Sequence, residues 1–212
     1  MLGAKVASDI VMIDEPKSLG QKDVCEARVA MLQRPHIAPL TSFVDDIRSK
    51  LSDPSGVPYF DPLDGGIAAK LLIVLEAPGP KAVRSGFVSG NNPDDTARNV
   101  FNVFRQAGFA RSETAMWNIV PWYIGTGQKI RAASAKDIRS GLPYLNRLLA
   151  LLPNLQGIGL LGKKAARVKL DLAAPGIQIW DTPHPSPLFV NRHPENLGKI
   201  LEVLRTIRMQ IR

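Results

Sequence analysis

Cysteine is almost absent from this chain of 212 residues, which contains Cys25 alone. One thiol cannot form an intramolecular disulfide, a cysteine-based zinc site or a four-cysteine iron–sulfur cluster. No apolar run approaches the roughly 18 residues of a membrane span, and residues 1–13 lack the charged start and apolar core of a secretory signal. We therefore expect a cytoplasmic protein in a reducing compartment, with no membrane partner.

Acidic residues are also few relative to basic ones. Lysine and arginine number 27 against 19 acidic residues, which gives a net charge of +8. Such a balance favours a polyanionic partner, although basic residues spread over a solvated surface give the same total. The hydrophobic share of 45% is that of an ordinary globular protein, and the length suits one compact domain.

Four apolar runs without alternation are typical of strands that are buried on both faces of a parallel sheet. They span residues 70–75, 115–120, 157–161 and 176–180. Helical patterns lie between them at 96–106, 134–152 and 163–172, an earlier helix is capped by Thr41 or Ser42, and a last helix covers 194–212. This order predicts an α/β fold, a three-layer α/β/α sandwich with a small central parallel four-stranded sheet.

The candidate site residues of the chain lie at or after the ends of these strands. Residues 76–79 follow the first strand, Asn118 lies near the end of the second, Lys163 follows the third, and residues 182–192 follow the fourth. Open parallel sheets bind ligands at the carboxyl ends of their strands. We therefore expect these loops to form one site.

The loop after the fourth strand carries the sequence His184-Pro185-Ser186-Pro187-Leu188, followed by Val190 and Arg192. This segment resembles the second motif of the uracil-DNA glycosylases. The resemblance implies that His184 supports the departing uracil anion and that Leu188 wedges into the duplex. It assigns Ser186, Pro187 and Arg192 to contacts with DNA.

The first loop, Glu76-Ala77-Pro78-Gly79, resembles the glutamate-alanine-proline-glycine motif of a branch of that superfamily that usually carries an iron–sulfur cluster. With Cys25 alone the chain looks like a cluster-free relative, so neither a metal nor an organic cofactor is expected. Ala77 stands where other members have a water-activating aspartate. Glu76 is therefore the predicted group for positioning water or stabilising the charged sugar, and Pro78 and Gly79 are predicted to contact DNA.

Two carboxylates, Asp94 and Asp95, are alternatives to Glu76, although acidic residues before a helix are commonly caps.

A base that is to be cleaved from DNA must first leave the stack, and its pocket then needs a stacking face and an edge to recognise. Phe87 is the predicted face by its position in the motif, with a core role as the alternative, and Ala77 joins it in the pocket. The Asn118 amide can donate to O4 of uracil and accept from N3–H. Lys163 is predicted either to contact a DNA phosphate or to begin a solvated helix.

The resemblance covers about residues 38–205 and implies a monofunctional uracil-DNA glycosylase of base excision repair, associated with the nucleoid when acting on DNA. Its partners would be uracil-containing DNA, with free uracil and abasic-site DNA as products, and it would work as a monomer. Residues 1–37 are predicted to be an N-terminal helical extension and 38–212 the catalytic domain.

Two alternatives stay open. Because Ala77 replaces the usual base, the chain would also suit a non-catalytic binder of abasic, mismatched or single-stranded DNA. A small nucleotide-binding enzyme that uses the Pro78-Gly79-Pro80 turn is less favoured, because the turn lacks the spacing of both the P-loop and the dinucleotide-binding loop.

Overall fold

The computed structural model describes residues 13–126 and 131–211, and a parallel sheet lies at its centre. The strands are β1 (Tyr59–Phe60), β2 (Leu71–Leu75), β3 (Phe87–Val88), β4 (Thr114–Asn118), β5 (Gly157–Leu161) and β6 (Gln178–Thr182). Four of them form the main sheet in the order β4-β2-β5-β6, with every pair parallel. The predicted four-stranded parallel sheet is thus confirmed. A small parallel pair, β1 with β3, is an addition that the sequence patterns do not predict.

Helices cover both faces of the sheet. They are α1 (Lys22–Val29), α2 (Ala38–Arg48), α3 (Pro80–Ser85), α4 (Asp95–Gln106), α5 (Ala135–Leu149), α6 (Pro187–Val190) and α7 (Glu195–Gln210). On one face α4 packs near Ile73 and Met116 and also contacts α7. On the other face Phe43 of α2 packs against Trp117, and Arg147 of α5 lies over the Phe43 ring. The α/β/α layering follows from this arrangement.

The strand register explains the two faces. Ile73 pairs with Met116 and Val74 pairs with Trp117, so neighbouring pairs point to opposite sides of the sheet. β4 and β5 are buried along their whole length, as are the first four residues of β2. β6 is an edge strand, and only its last residue is buried. No helix within the described ranges is long and apolar enough to cross a bilayer.

Several predicted boundaries are wrong. The predicted helix at 163–172 is only a short 3-10 turn, Ala165–Val168. Ala165 and Val168 are the buried residues of this segment, so little packing is available to stabilise a longer helix. β6 begins two residues later than predicted and extends to Thr182, which pairs with Leu161. β4 ends at Asn118 instead of Val120.

The helix α2 also departs from prediction, since it begins at Ala38. The hydroxyl of Thr41 donates to the carbonyl of Leu32 (2.8 Å) and does not cap a helix.

The segment before α2 packs on the rest of the molecule through a small apolar cluster and a buried ion pair. The cluster comprises Leu19, Val24, Leu32 and Phe87. Arg28, 1% exposed, donates to Asp61 at 2.7 Å. The boundary at residue 37 stays a prediction.

Candidate active site

A cavity of about 430 Å³ opens at the carboxyl edge of the sheet. It is lined by residues 75–82, from the last residue of β2 onwards, by Met116 and Asn118 of β4, and by His184 from the loop after β6. Strand order changes direction at β2, because β4 lies on one side of it and β5 on the other. Ligands of open parallel sheets bind at such a point.

The loop after β2 holds the cavity wall through hydrogen bonds to a distant segment. Glu76 Oε1 accepts from the backbone N–H of Ala133 at 2.5 Å, and Lys164 Nζ donates to the carbonyl of Ala133 at 2.6 Å. Ala133 is therefore held by hydrogen bonds from both the loop after β2 and the loop after β5. This places Arg131 and Ala132 at the cavity.

The motif residues that follow Glu76 differ in burial. Ala77 is half-buried and Pro78 buried, and both line the cavity. Gly79 adopts an extended conformation at the start of α3, with no other atom within 4 Å of where a Cβ would lie. A substrate therefore has close access to the backbone at Gly79.

Asn118 is the last residue of β4 and lies in the cavity. It is 3% exposed, and its carboxamide makes no hydrogen bond with another residue in the described part of the chain. The backbone bonds after it, Ile119 to Leu75 and Val120 to Glu76, fix the strand end to the first loop. The carboxamide is thus held at the cavity without a partner among the described residues.

His184 is half-buried and faces the same cavity. Burial lowers the pKa of its imidazole, and the negative charges of Glu76 and Asp94 oppose that shift only in part. Its place depends on Gly162, which has φ +90° and would bring a Cβ to 2.9 Å from the Cβ of His184. Gly162 therefore leaves the room that His184 needs at the cavity.

The rest of the loop after β6 is fixed at its base and exposed at its tip. Asn99 of α4 donates to the carbonyl of Pro185 at 2.9 Å, and Ser186 caps α6 by accepting from the N–H of Phe189. Pro187 is the first residue of α6. Leu188 is 83% exposed and Arg192 is also exposed, so both are free to meet a partner.

One residue that was predicted to line the pocket lies elsewhere. Phe87 is fully buried in the apolar cluster that holds the segment before α2, and it does not line the cavity. Phe87 therefore has the core role that was its alternative, and not the base-stacking role, because its ring already packs in the cluster with Leu19 and Val24. Lys163 is exposed, and its contact with a DNA phosphate stays a prediction, while its neighbour Lys164 donates to the carbonyl of Ala133.

Other cavity residues were not singled out as pocket residues from the sequence. They include Ser89, Asn92, Thr96, Arg131 and the apolar Val88 and Val100. Arg131 lies thirteen residues after the end of β4 and shortly before α5, so no strand-end signal marked it in the sequence. Asp94, an alternative to Glu76 in the sequence, both lines the cavity and caps α4 by accepting from Ala97 at 2.9 Å.

A family model described as the uracil DNA glycosylase superfamily matches residues 62–207. The chain belongs to this superfamily. No match is found among curated proteins. Among solved structures, a solution NMR structure of a proposed uracil DNA glycosylase from Methanosarcina acetivorans is similar, with 15% identity, 69% of this chain and 94% of that chain covered, and a TM-score of 0.42.

Membership in the uracil DNA glycosylase superfamily makes DNA the class of substrate and DNA repair the process at the family level. The matched residues include both motif loops and Asn118, which the fold brings to one cavity. Which base is removed, and by which residues, is a separate matter.

Proposed function

We propose that the protein is a monofunctional uracil-DNA glycosylase, which takes uracil out of the DNA stack and hydrolyses its N-glycosidic bond to leave an abasic site. The observation that carries the proposal is that Asn118 and His184, which are far apart in sequence, face one cavity beside the loop 76–79. An amide for the base edge and an imidazole for the leaving group are what excision of uracil needs.

The base would bind with its edge on Asn118. The carboxamide N–H donates to O4 of uracil and its oxygen accepts from N3–H, whereas cytosine presents the reverse pattern. Val88, Val100 and Met116 supply apolar walls for the ring. Because Phe87 is in the core, these aliphatic side chains and Ala77 take the place of a stacked aromatic ring.

Bond cleavage would be dissociative, with uracil leaving as an anion. Burial lowers the pKa of His184 and so favours the neutral imidazole, which still donates one N–H to the oxygen on which charge develops. A single fixed donor of this kind is worth about 10²- to 10³-fold in rate. Water then captures the positively charged sugar, and no lysine nucleophile is required.

Glu76 is the proposed carboxylate for the sugar and water. Its Oε1 already accepts from Ala133, which holds the carboxylate in one orientation and leaves Oε2 for the substrate. Asp94 is the second candidate, because it lines the cavity and its charge acts on His184. Either carboxylate would stabilise positive charge on the sugar by proximity.

Release of uracil by excess protein from a uracil-containing oligonucleotide, followed under single-turnover conditions, tests the proposal. We expect His184→Ala to slow release about 10²- to 10³-fold. Asn118→Asp should slow it about 5- to 100-fold, because the lost donor leaves a polar group of the substrate unpaired at a cost of about 1 to 3 kcal/mol. His193→Ala, at an exposed histidine outside the cavity, is the matched control.

If the unaltered protein released no uracil at any protein excess, the enzyme proposal would be wrong. Tight binding of abasic or mismatched DNA in the same samples would then favour the non-catalytic alternative that Ala77 allows. Equal rates for His193→Ala and His184→Ala would remove His184 from the reaction.

A further inference from the structure

A second recess, of about 400 Å³, lies beside the active-site cavity. Residues 19–22 and Cys25 form one wall, and Lys81, Arg84 and Ser85 of α3 form the other. Lys81 also lines the active-site cavity, so the two recesses share a wall. We call this recess the α1–α3 groove.

The groove is basic. Lys22, Lys81 and Arg84 line it, and no acidic residue is among its described lining residues. In the described part of the chain Lys81 and Arg84 have no ion-pair partner, and Lys22 has only Glu26 at 3.5 Å, with both side chains strongly exposed. Exposed pairs of that kind are weak. Three cations are thus available to a polyanion.

The walls of the groove are held in place by buried contacts. Ser85 Oγ donates to Asn92 Oδ1 at 2.6 Å, which ties α3 to the loop that follows β3. On the other wall the N–H of Leu19 donates to the carbonyl of Asn91 at 3.1 Å. A Cβ on Gly20 would lie 3.3 Å from Pro93, so this contact is close. Walls that are already ordered bind a ligand without a large further cost in entropy.

Phe87 contributes to that order. Its ring lies under the groove-forming segment, packed with Leu19, Val24 and Leu32. The residue expected to stack on a base therefore holds the segment 19–25 beside the cavity.

We propose that the α1–α3 groove binds the phosphate backbone of the DNA strand on one side of the flipped nucleotide. Charge complementarity and the shared wall at Lys81 carry this inference, which rests on the proposed function for the presence of a flipped nucleotide in the cavity. Phosphate contacts fix the position of a strand and do not depend on base sequence. The groove thereby gives the segment before α2 a role in substrate binding.

The test removes two groove cations that lie outside the active-site cavity. Lys22→Ala combined with Arg84→Ala is compared with Arg34→Ala combined with Arg205→Ala, a matched pair that removes the same charge from exposed positions elsewhere. The probe is single-stranded DNA with a stable abasic-site analogue, and the dissociation constant is measured over a range of salt concentrations. Log affinity falls with log salt by about 0.7 for each phosphate contact.

We expect the groove variant to reduce that slope by about 1.4, corresponding to two lost contacts, and the control pair to leave it unchanged. The charge-conserving variant Lys22→Arg with Arg84→Lys should restore the slope. Shortening the DNA on one side of the analogue should abolish the difference between groove variant and unaltered protein, while shortening it on the other side should preserve it.

Equal salt slopes for the groove variant and the control pair would overturn the inference. So would a groove effect that survives shortening of the DNA from both sides. These outcomes are distinct from failure of the proposed function, which is read from uracil release by the unaltered protein. If uracil is released normally but the groove variant and the control pair have equal salt slopes, only the proposed role of the groove is wrong. If the groove variant lowers the slope but the unaltered protein releases no uracil, only the proposed excision is wrong.

Discussion

Two buried polar clusters meet at Ser89, and their polar atoms are used in opposite ways. The Asp61 network is the first, and it consists of Asp14, Arg28, Asp61, Asp64 and Arg111. Burial opposes ionisation of Asp61, but Arg111 and Arg28 outweigh it and lower its pKa. Ser89 donates to the same carboxylate at 2.5 Å. Asp61 is therefore satisfied within the fold.

The active-site cavity is the second cluster, and Ser89 lines it too. Here His184 and the Asn118 carboxamide have no hydrogen-bond partner in the described part of the chain, and Glu76 has one partner, Ala133. A polar group that the fold leaves unpaired costs stability unless a ligand pairs with it. The contrast separates groups that hold the fold from groups available to a substrate.

One atom of the Asp61 network departs from this pattern. Asp64 Oδ2 is buried without a partner among the described residues, although its Oδ1 accepts from Arg111 at 2.8 Å. Burial raises the pKa of Asp64 to about 7, against the opposing charge of Arg111. Both features follow from the deep burial of this carboxyl group, which is 4% exposed.

Removing the centre of the Asp61 network should produce the largest effect. Asp61→Ala leaves Arg28, 1% exposed, as an unpaired buried charge, and such a loss costs about 3 to 5 kcal/mol. We expect urea denaturation to show this drop in the free energy of unfolding, while the protein that stays folded still excises the base.

The control for that variant is Asp46→Ala, which removes an exposed carboxylate paired with Lys50 and Arg147. It should lower stability much less, because solvent screens exposed pairs. Similar losses for the two variants would show that the Asp61 network does not hold the fold.

Gly162→Ala should lower both the stability of the fold and the rate of excision, by less than Asp61→Ala lowers stability. Its φ of +90° strains any other residue by about 1 to 3 kcal/mol, and the new Cβ would also collide with His184. Gly176→Ala, at φ +77° with open space around it, introduces strain without a collision. We expect thermal unfolding to reveal destabilisation in both variants, but single-turnover excision to slow only in Gly162→Ala. Equal excision rates would mean that Gly162 does not position His184.

The sequence predicted the sheet well because its strands are long apolar runs that leave few alternatives. It predicted the bounds of β6 poorly, because only the last residue of this strand is buried and its few apolar residues do not mark its ends. The turn at Ala165–Val168 looked like a helix for a related reason: two buried residues three positions apart suit both structures.

The candidate site was predictable where a residue ends a strand, as Asn118 does, or directly follows one, as Glu76 does, because parallel strands end at one edge. Contacts across the fold were not predictable. The bonds that join Ala133 to Glu76 and Lys164 depend on how the loops after β2 and β5 meet the start of α5. Phe87 was misassigned because its neighbours in sequence belong to the pocket while its ring packs against residues before α2.

Leu188→Ala should give the smallest effect, one that is confined to duplex DNA. The side chain is 83% exposed at the start of α6, outside both polar clusters, so its loss should leave stability unchanged. If it inserts between base pairs, its burial contributes about 1.5 to 3 kcal/mol, which corresponds to roughly tenfold or more in excision from duplex substrate. Single-stranded substrate needs no wedge and should be cut at the normal rate. The control is Leu170→Ala, at a leucine that is 96% exposed in another part of the chain, and it should change excision from neither substrate. If Leu188→Ala slowed excision equally on both substrates, Leu188 would act in general DNA binding and not in strand separation.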